Sequence, residues 1–252
     1  MAERLLSPVK ATVGFASETG PRERNEDFGG AVFGYELPKP RRDIVAALAD
    51  GIGGAKGGRV AAETAVRGFL DGFCDLPETM EVRRAAASVL NSLNGWIYAL
   101  AKRDSKLAGM GCTFTALVLR GRVAHVLHVG DSRAYRLRGN RLSLLTTDHV
   151  RESTGGRSNI LNRALGVETE VRLDYAAQPV ALHDRFLLCS DGLVGHISDT
   201  ELAERLALRA PQEACEDLIA LTLRRGAADN VSVVIFDCAG EERRTLPRIR
   251  NL

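Results

Sequence analysis

The residues best suited to chemistry in this sequence are aspartates at the ends of apolar, strand-like runs. Six small or branched apolar residues, 44–49, lead into Asp50 and then into glycine-rich chain beginning at Gly51. Glycine frees the main chain of Cβ contacts, so a carbonyl oxygen there can approach an ion closely. The same pattern recurs at three later run ends: Asp131, Asp191 and Asp229. A lone Asp-Gly is usually only a turn, but four acidic strand ends predict one carboxylate pocket, which requires cations.

A second candidate is the densely charged stretch Arg22-Glu23-Arg24-Asn25-Glu26-Asp27, which lies between two predicted strands. A run of six charged and polar residues is most often a solvated loop. The functional interpretation is an arginine for an anion beside acids for a metal. Both interpretations stay open from the residues alone.

The bulk numbers describe an ordinary globular chain. It has 252 residues, 45% hydrophobic and 26% charged, with a net charge of +2, which gives no electrostatic case for nucleic acid or membrane binding. We predict one domain over 1–240 and a flexible charged tail over 241–252.

The chain has no apolar segment near the roughly 18 residues needed to span a bilayer, and its first ten residues lack a signal-peptide core. Five scattered cysteines lack metal-ligand spacing. A cytoplasmic protein with buried thiols is expected.

The elements that must position these residues follow from hydrophobic periodicity. Period-two or apolar patterns predict strands over 12–17, 44–49, 111–119, 123–129, 134–138, 141–145, 184–190 and 231–236, with an edge strand over 171–175. Helical spacing predicts one pair of helices over 59–73 and after Pro77, and a second pair opened by Ser198 and Pro211. The stretch 146–166 is predicted to be a loop. Two consecutive helix pairs among many strands favour an α+β fold, with the pairs covering a mainly antiparallel sandwich.

Read together, the motifs resemble a known family. In chain order they are Arg22-x-x-Asn25-Glu26-Asp27, Asp50-Gly51-x-Gly53-Gly54, Gly109-x-Gly111-Cys112-Thr113, Val129-Gly130-Asp131-Ser132-Arg133, Leu145-Thr146-Thr147-Asp148-His149, Arg163-Ala164-Leu165-Gly166, Cys189-Ser190-Asp191-Gly192 and Asp229-Asn230-Val231-Ser232. Each is weak alone, but together and in order they are specific. The chain resembles the metal-dependent protein phosphatases (type 2C serine/threonine phosphatases), especially the compact bacterial members.

This resemblance implies a fold and an activity. The family has an α-β-β-α sandwich with two Mn²⁺ or Mg²⁺ ions at one end, and it hydrolyses phosphoserine and phosphothreonine in proteins. The implied partners are phosphorylated proteins, substrates of a serine/threonine kinase, with no nucleic acid or membrane partner. A monomer is expected.

The resemblance also implies roles residue by residue. Asp50 bridges both metals, Gly51 offers its carbonyl, Asp191 and Asp229 bind the first metal, Glu26 and Asp27 serve the second metal or its waters, and Arg22 binds the substrate phosphate. Arg24 is a weaker substitute for Arg22, and Asn230 orients the Asp229 loop or a metal-bound water. Asp131 has two open roles: capping its turn, or joining Asp191 at a third, weaker ion.

Two departures from the family pattern stand out. Many eukaryotic members carry histidine directly after the first Asp-Gly, where this chain has Ile52, so the leaving-group acid is unassigned. Bacterial relatives commonly carry a longer flap where this chain has the short 149–163 loop. Two other functions are weighed against the phosphatase: an inactive relative that binds phosphoproteins, and a two-metal nuclease or other phosphoesterase. The intact aspartates disfavour the first, and the near-neutral charge disfavours a nuclease.

Overall fold

The structure, a computed structural model, describes residues 10–52, 57–152 and 159–239. Its strands are β1 (Lys10–Glu18), β2 (Phe28–Phe33), β3 (Ile44–Ala49), β4 (Gly51–Ile52), β5 (Gly111–Cys112), β6 (Phe114–Arg120), β7 (Val123–Val129), β8 (Arg133–Arg138), β9 (Arg141–Leu144), β10 (Val150–Glu152), β11 (Asn159–Leu161), β12 (Asp174–Pro179), β13 (Arg185–Cys189) and β14 (Val231–Ala239). Its helices are α1 (Gly57–Asp75), α2 (Val82–Arg103), α3 (Asp199–Leu208) and α4 (Pro211–Arg224). The predicted tail over 241–252 and the N-terminal residues 1–9 lie outside the described residues.

Two five-stranded sheets form the centre of the fold. One has the strand order β1-β14-β13-β8-β9 and the other the order β12-β7-β6-β3-β2, and all of their strand pairs are antiparallel. One core joins the two sheets, a second joins α1 and α2 to the β3-containing sheet, and a third joins α3 and α4 to the β14-containing sheet. The predicted α-β-β-α sandwich is confirmed.

Strand β3 shows why the apolar run before Asp50 is continuous. All six of its residues are buried. Val45, Ala47 and Ala49 pack toward the helices, whereas Ala46 and Leu48 pack toward the opposite sheet. A strand covered on both faces has no solvent side, so it shows no polar alternation. Asp50 therefore lies at the end of β3, where both cores end.

The helix starts follow the predicted capping chemistry. Ser198 and Glu201 form the predicted capping box at the start of α3, and Pro211 occupies the first turn of α4. The carboxylate of Glu81, which was not predicted, caps α2 by accepting from the backbone N–H groups of Arg83 and Arg84. These contacts satisfy amide groups that a helix start otherwise leaves unpaired.

Three predicted elements differ from the structure. The strand over 111–119 is broken at Thr113, whose backbone N–H donates to the Asp50 carbonyl oxygen (2.8 Å) instead of continuing the ladder. The predicted loop 146–166 contains the hairpin β10–β11, whose three-residue strands are too short to show alternation. The edge strand predicted at 171–175 runs over Asp174–Pro179 instead. Val171 and Leu173, whose apolar side chains produced the strand-like pattern, pack on the helix-side core.

Within residues 10–52, 57–152 and 159–239, no helix is both long and apolar enough to cross a membrane.

Candidate active site

The structure brings the predicted acidic strand ends together. Asp50 lies between β3 and β4, Asp131 between β7 and β8, Asp191 just after β13, and Asp229 just before β14. Burial raises the pKa of Asp50 well above its usual range, and the charges of Asp27, Asp191, Asp131 and Asp229 raise it further. Charges act on one another in this way only at short range. The five carboxylates therefore form one cluster at the end of the sandwich.

Asp27 is the most enclosed member of the cluster. It is 1% exposed, and burial raises its pKa to about 6 despite hydrogen bonds from Ser190 and Ser232. The Ser190 hydroxyl donates to Asp27 Oδ2 at 2.8 Å. The other oxygen, Oδ1, is buried with no hydrogen-bond partner. A buried carboxylate oxygen without a partner calls for a ligand, and a hard cation or its water fits it.

Asp50 and Asp191 are close enough for their side chains to hydrogen-bond to each other. Desolvation, followed by the charge of Asp229, raises the pKa of Asp191. A divalent cation among these carboxylates would relieve the same repulsion.

The donor set fits ions that keep water in their shells. Within the described residues, no three His, Cys, Asp or Glu side chains are arranged to hold one ion by themselves. Mg²⁺ commonly binds through one or two carboxylates and retains several waters, and Mn²⁺ also suits carboxylate, carbonyl and water ligands. Oxygen donors from five neighbouring aspartates and one glutamate match that chemistry, so the residues fit such a metal.

Gly51 and Glu26 lie against the first turn of helix α1. A Cβ on Gly51 would meet the backbone carbonyl group of Gly58 at 2.3 Å, and a Cβ on Gly58 would lie 2.9 Å from Glu26 Oε2. Only glycine permits this approach. Burial raises the pKa of Glu26, while Arg22 and Arg24 lower it. The Gly51 carbonyl group and the Glu26 carboxylate, both predicted metal ligands, therefore lie close to the N-terminus of α1.

Arg22 lies at the rim of the cluster and pairs with a predicted metal ligand. Its Nη2 donates to Asp229 Oδ2 at 2.7 Å, and its Nε donates to the Ala228 carbonyl oxygen at 3.1 Å. The side chain of Arg22 is 57% exposed. An exposed guanidinium beside this carboxylate cluster can reach an oxyanion that enters from solvent.

Asn230 fastens the charged stretch 22–27 to the start of β14. Its Oδ1 accepts the backbone N–H of Glu26 at 2.8 Å, and its Nδ2 donates to the carbonyl oxygens of Thr19 (2.8 Å) and Arg24 (2.9 Å). The Asn230 backbone N–H also donates to Asp229 Oδ1 at 2.8 Å. One buried amide thus places the Glu26 loop beside Asp229. The loop-orienting role of Asn230 stays a prediction.

A chain of buried hydroxyl groups beneath Asp27 was missed by the sequence reasoning. Ser190 Oγ, which donates to Asp27, also accepts the Ser232 backbone N–H at 3.0 Å. Ser232 Oγ lies 2.7 Å from Ser17 Oγ, which accepts from Asn25 Nδ2 at 2.8 Å. Ser190, Ser232 and Asn25 occur in the quoted motifs, so the motifs held a signal, but only the structure shows that these residues meet.

Thr113 joins two of the acidic strand ends, and it too was missed. Its Oγ1 accepts the Asp50 backbone N–H at 2.9 Å and lies 2.8 Å from Ser132 Oγ. Ser132 directly follows Asp131. The Gly-Cys-Thr motif therefore ends in a hydroxyl that fixes Asp50 relative to the Asp131 turn.

Asp131 faces the cluster from a turn held on both sides. Burial, followed by the charge of Asp191, raises the Asp131 pKa to about 6. Arg133 makes a forked ion pair with Asp148, with Nη2–Oδ2 at 2.7 Å and Nε–Oδ1 at 3.0 Å. Asp131 also hydrogen-bonds its own backbone. The turn-capping role and the third-ion role both remain predictions.

Comparison with known proteins identifies the family. A family model described as protein phosphatase 2C matches residues 36–232. The chain belongs to the protein phosphatase 2C family. The match begins after the charged stretch, so the roles of Arg22, Glu26 and Asp27 rest on their contacts and on the motif.

Named relatives of this protein phosphatase 2C chain agree. It is 34% identical over 234 residues to the serine/threonine phosphatase stp of Listeria welshimeri, covering 86% of this chain and 91% of that protein. It is 34% identical over 206 residues to the serine/threonine protein phosphatase PstP of Mycobacterium tuberculosis, covering 76% of this chain and 40% of that protein. The predicted enzyme class is confirmed at the level of the family.

Solved structures show the same architecture. The crystal structure of M. tuberculosis PstP/Ppp superposes with a TM-score of 0.79 at 31% identity, covering 92% of this chain and 99% of that one. The catalytic domain of PstP in complex with two manganese ions superposes with a TM-score of 0.80 at 30% identity, covering 92% and 100%.

Proposed function

We propose that this chain hydrolyses phosphoserine and phosphothreonine in proteins with a pair of Mn²⁺ or Mg²⁺ ions. The observation that carries the proposal is the carboxylate cluster around Asp50, in which Asp27 Oδ1 is buried without a partner. The manganese pair in the related PstP catalytic domain supports the same metal type. When bound, two such ions acidify a water molecule and neutralise the phosphoryl group.

The residues that would hold the ions are the predicted ones. Asp50 would bridge both, with the Gly51 carbonyl as a further donor. Asp191 and Asp229 would complete the first ion, Glu26 and Asp27 would serve the second or its waters, and Asp131 with Asp191 would take a third, weaker ion. The remaining task of the chain is to orient these groups, which Asn230, Ser190 and Thr113 do through the hydrogen bonds described above.

Arg22 would bind the phosphate of the substrate. Its guanidinium is directed at Asp229 and stays exposed on the solvent side. A planar guanidinium matches phosphoryl oxygens with two parallel hydrogen bonds. Holding the phosphate there would place phosphorus next to the carboxylate cluster that would hold the ions.

The thiols near the cluster support a water nucleophile. Cys112 and Cys189 are fully buried, and burial raises the pKa of the Cys189 thiol to about 12 and that of Cys112 still further. A thiol with such a pKa is protonated at neutral pH and unreactive. Neither cysteine is suited to attack a phosphate.

The substrates we propose are phosphorylated proteins made by a serine/threonine kinase, encountered in the cytoplasm by a monomeric enzyme. Ile52, a half-buried apolar residue next to Gly51, offers no proton.

The test measures hydrolysis of p-nitrophenyl phosphate and of a phosphothreonine peptide with Mn²⁺, with Mg²⁺ and with excess chelator. We expect turnover only with metal, and loss by several orders of magnitude in Asp50→Asn and Asp229→Asn, because each would remove an anionic ligand. Asp71→Asn, an exposed aspartate on α1, is the matched control. Full activity in chelator would exclude the metal mechanism, and an inactive but metal-binding protein would favour the phosphoprotein-binding alternative.

A further inference from the structure

Gly130, the residue before Asp131, adopts a backbone conformation that favours glycine. Its φ is 115°, and a Cβ there would lie 2.6 Å from the Thr113 side chain. Glycine is required at such a φ. Because Gly130 comes directly after β7, its polar backbone groups need partners outside the strand ladder.

Both backbone groups of Gly130 are satisfied by one residue, His149. The Gly130 N–H donates to His149 Nδ1 at 3.1 Å, and the Gly130 carbonyl oxygen accepts the His149 backbone N–H at 2.7 Å. His149 is 6% exposed. The imidazole is therefore a buried clamp on the first residue of the Asp131 turn.

The hydrogen-bond pattern fixes the tautomer of His149. Since Nδ1 accepts from Gly130, the proton of the neutral ring lies on Nε2. Nε2 lies 3.0 Å from Asp174 Oδ2, to which it donates. Arg163 Nη1 donates to the other oxygen, Asp174 Oδ1, at 3.2 Å. Arg163 Nη1 also lies 3.2 Å from His149 Nε2, because both atoms donate to the carboxylate of Asp174.

These contacts also close the base of the 149–163 loop. The Asn162 backbone N–H donates to the His149 carbonyl oxygen at 2.8 Å, and Asp174 receives both His149 and Arg163. One carboxylate on the edge strand β12 thus connects the two ends of this loop to the turn that carries Asp131.

We propose that His149 is a positioning residue for Asp131, with Asp174 holding its ring in the tautomer that accepts from Gly130. This inference rests on the proposed function, because Asp131 matters to turnover only if it helps to hold a metal ion. The ring acts through Gly130: it fixes the turn so that the Asp131 carboxylate faces Asp191. Orienting partners of this kind affect metal affinity without touching the ion.

The test compares two substitutions at one position. His149→Phe keeps a buried ring but removes the acceptor, and His149→Asn restores an oxygen near the place of Nδ1. We expect His149→Phe to raise the Mn²⁺ concentration for half-maximal turnover about tenfold or more, while binding of the tighter ions, measured by calorimetry, stays unchanged. In the protein without metal, hydrogen exchange of the Gly130 amide, measured by NMR, should accelerate about tenfold. His149→Asn should recover most of both effects.

Control variants separate positioning from simple destabilisation. His125→Phe removes a histidine on β7 that hydrogen-bonds Tyr175 (2.7 Å) on β12, and it should change neither readout. If His149→Phe does not fold, Asp174→Leu carries the test, and it should raise the half-maximal Mn²⁺ concentration about threefold or more. An unchanged Mn²⁺ requirement and unchanged Gly130 exchange in a folded variant would overturn the inference. Absence of metal-dependent turnover in the unmodified protein would instead overturn the proposed function, whatever the Gly130 exchange shows.

Discussion

Arg22 and Asp229 form an ion pair 2.7 Å long at the mouth of the carboxylate cluster. The residue predicted to bind the substrate phosphate therefore contacts a residue predicted to bind a metal ion. A phosphoryl group held by Arg22 would lie beside Asp229. This juxtaposition makes Arg22 the first residue to test.

Substituting Arg22 should impair substrate binding more than folding. We expect Arg22→Ala to raise KM and to cost about 2–4 kcal/mol in kcat/KM, because a charge-assisted contact to the phosphate is removed. The free energy of unfolding should change by less than about 1 kcal/mol, since exposed ion pairs contribute little. Steady-state kinetics and urea unfolding measure the two effects. Arg24→Ala should cost much less, and a larger loss at Arg24 would show that Arg22 is the wrong arginine.

Asp131→Ala should separate the two roles left open for that residue. If Asp131 helps to hold a weak third ion, the variant folds and keeps the tighter ions but loses most turnover at any Mn²⁺ concentration. The loss should be greater on a phosphopeptide than on p-nitrophenyl phosphate, whose good leaving group needs less proton donation. Rates on both substrates at saturating Mn²⁺ provide the measurement. Parental activity on the phosphopeptide would leave only turn capping.

Asp43 should be a stability determinant remote from the chemistry. It is fully buried and paired with two arginines: Arg120 Nε donates at 2.7 Å and Arg41 Nε at 2.9 Å. Arg41 also donates to the Phe73 carbonyl oxygen in the last turn of α1 (3.0 Å). We expect Asp43→Ala to lower the free energy of unfolding by about 3–5 kcal/mol, because two partly or fully buried cations lose their partner.

Urea unfolding measures this loss, and a surface pair provides the control. Glu63 pairs with Arg67 (2.8 Å) one helical turn away, and both side chains are substantially exposed. Glu63→Ala should cost about 0.5 kcal/mol or less. Equal losses in the two variants would contradict the buried-network interpretation.

His128 should make folding stability fall in acid. It is 2% exposed and accepts from Thr115 at Nδ1 (3.0 Å). Burial, then the charge of His149, lowers its pKa from 6.5 to about 4, although Asp174 and Asp148 oppose the change. Between these pH values the unfolded chain binds a proton that the folded protein excludes, so the unfolding free energy decreases as pH falls.

Replacing His128 with asparagine, which does not titrate, isolates the contribution of His128 to the pH dependence of the unfolding free energy. We expect the wild-type protein to lose up to about 3 kcal/mol more than His128→Asn between pH 7 and pH 4. Urea unfolding at several pH values gives the difference between the two slopes. Parallel pH profiles would show that His128 is not held neutral by the fold.

The sequence by itself determined the family, the sandwich and the acidic strand ends. Asp50 follows a run that is apolar at every position because both faces of β3 are covered, and that pattern is local and readable. The capping box at Ser198 and the proline of α4 were readable for the same reason: their chemistry lies within one helical turn. The β10–β11 hairpin was not readable, because its three-residue strands are too short to show alternation. The break at Thr113 was not readable either, because its hydrogen bond joins residues distant in sequence.

Only the tertiary structure decided how the site is held. Asn230 fastens Glu26 from more than two hundred positions away along the chain, and Ser190 reaches Asp27 across the interface of the two sheets. His149 is tied to Gly130 and Asp174 by contacts that no periodicity encodes. Side-chain types and spacing identify which groups can bind a cation. Burial and hydrogen-bond direction, which set the pKa of Asp27 and the tautomer of His149, exist only after the strands have packed.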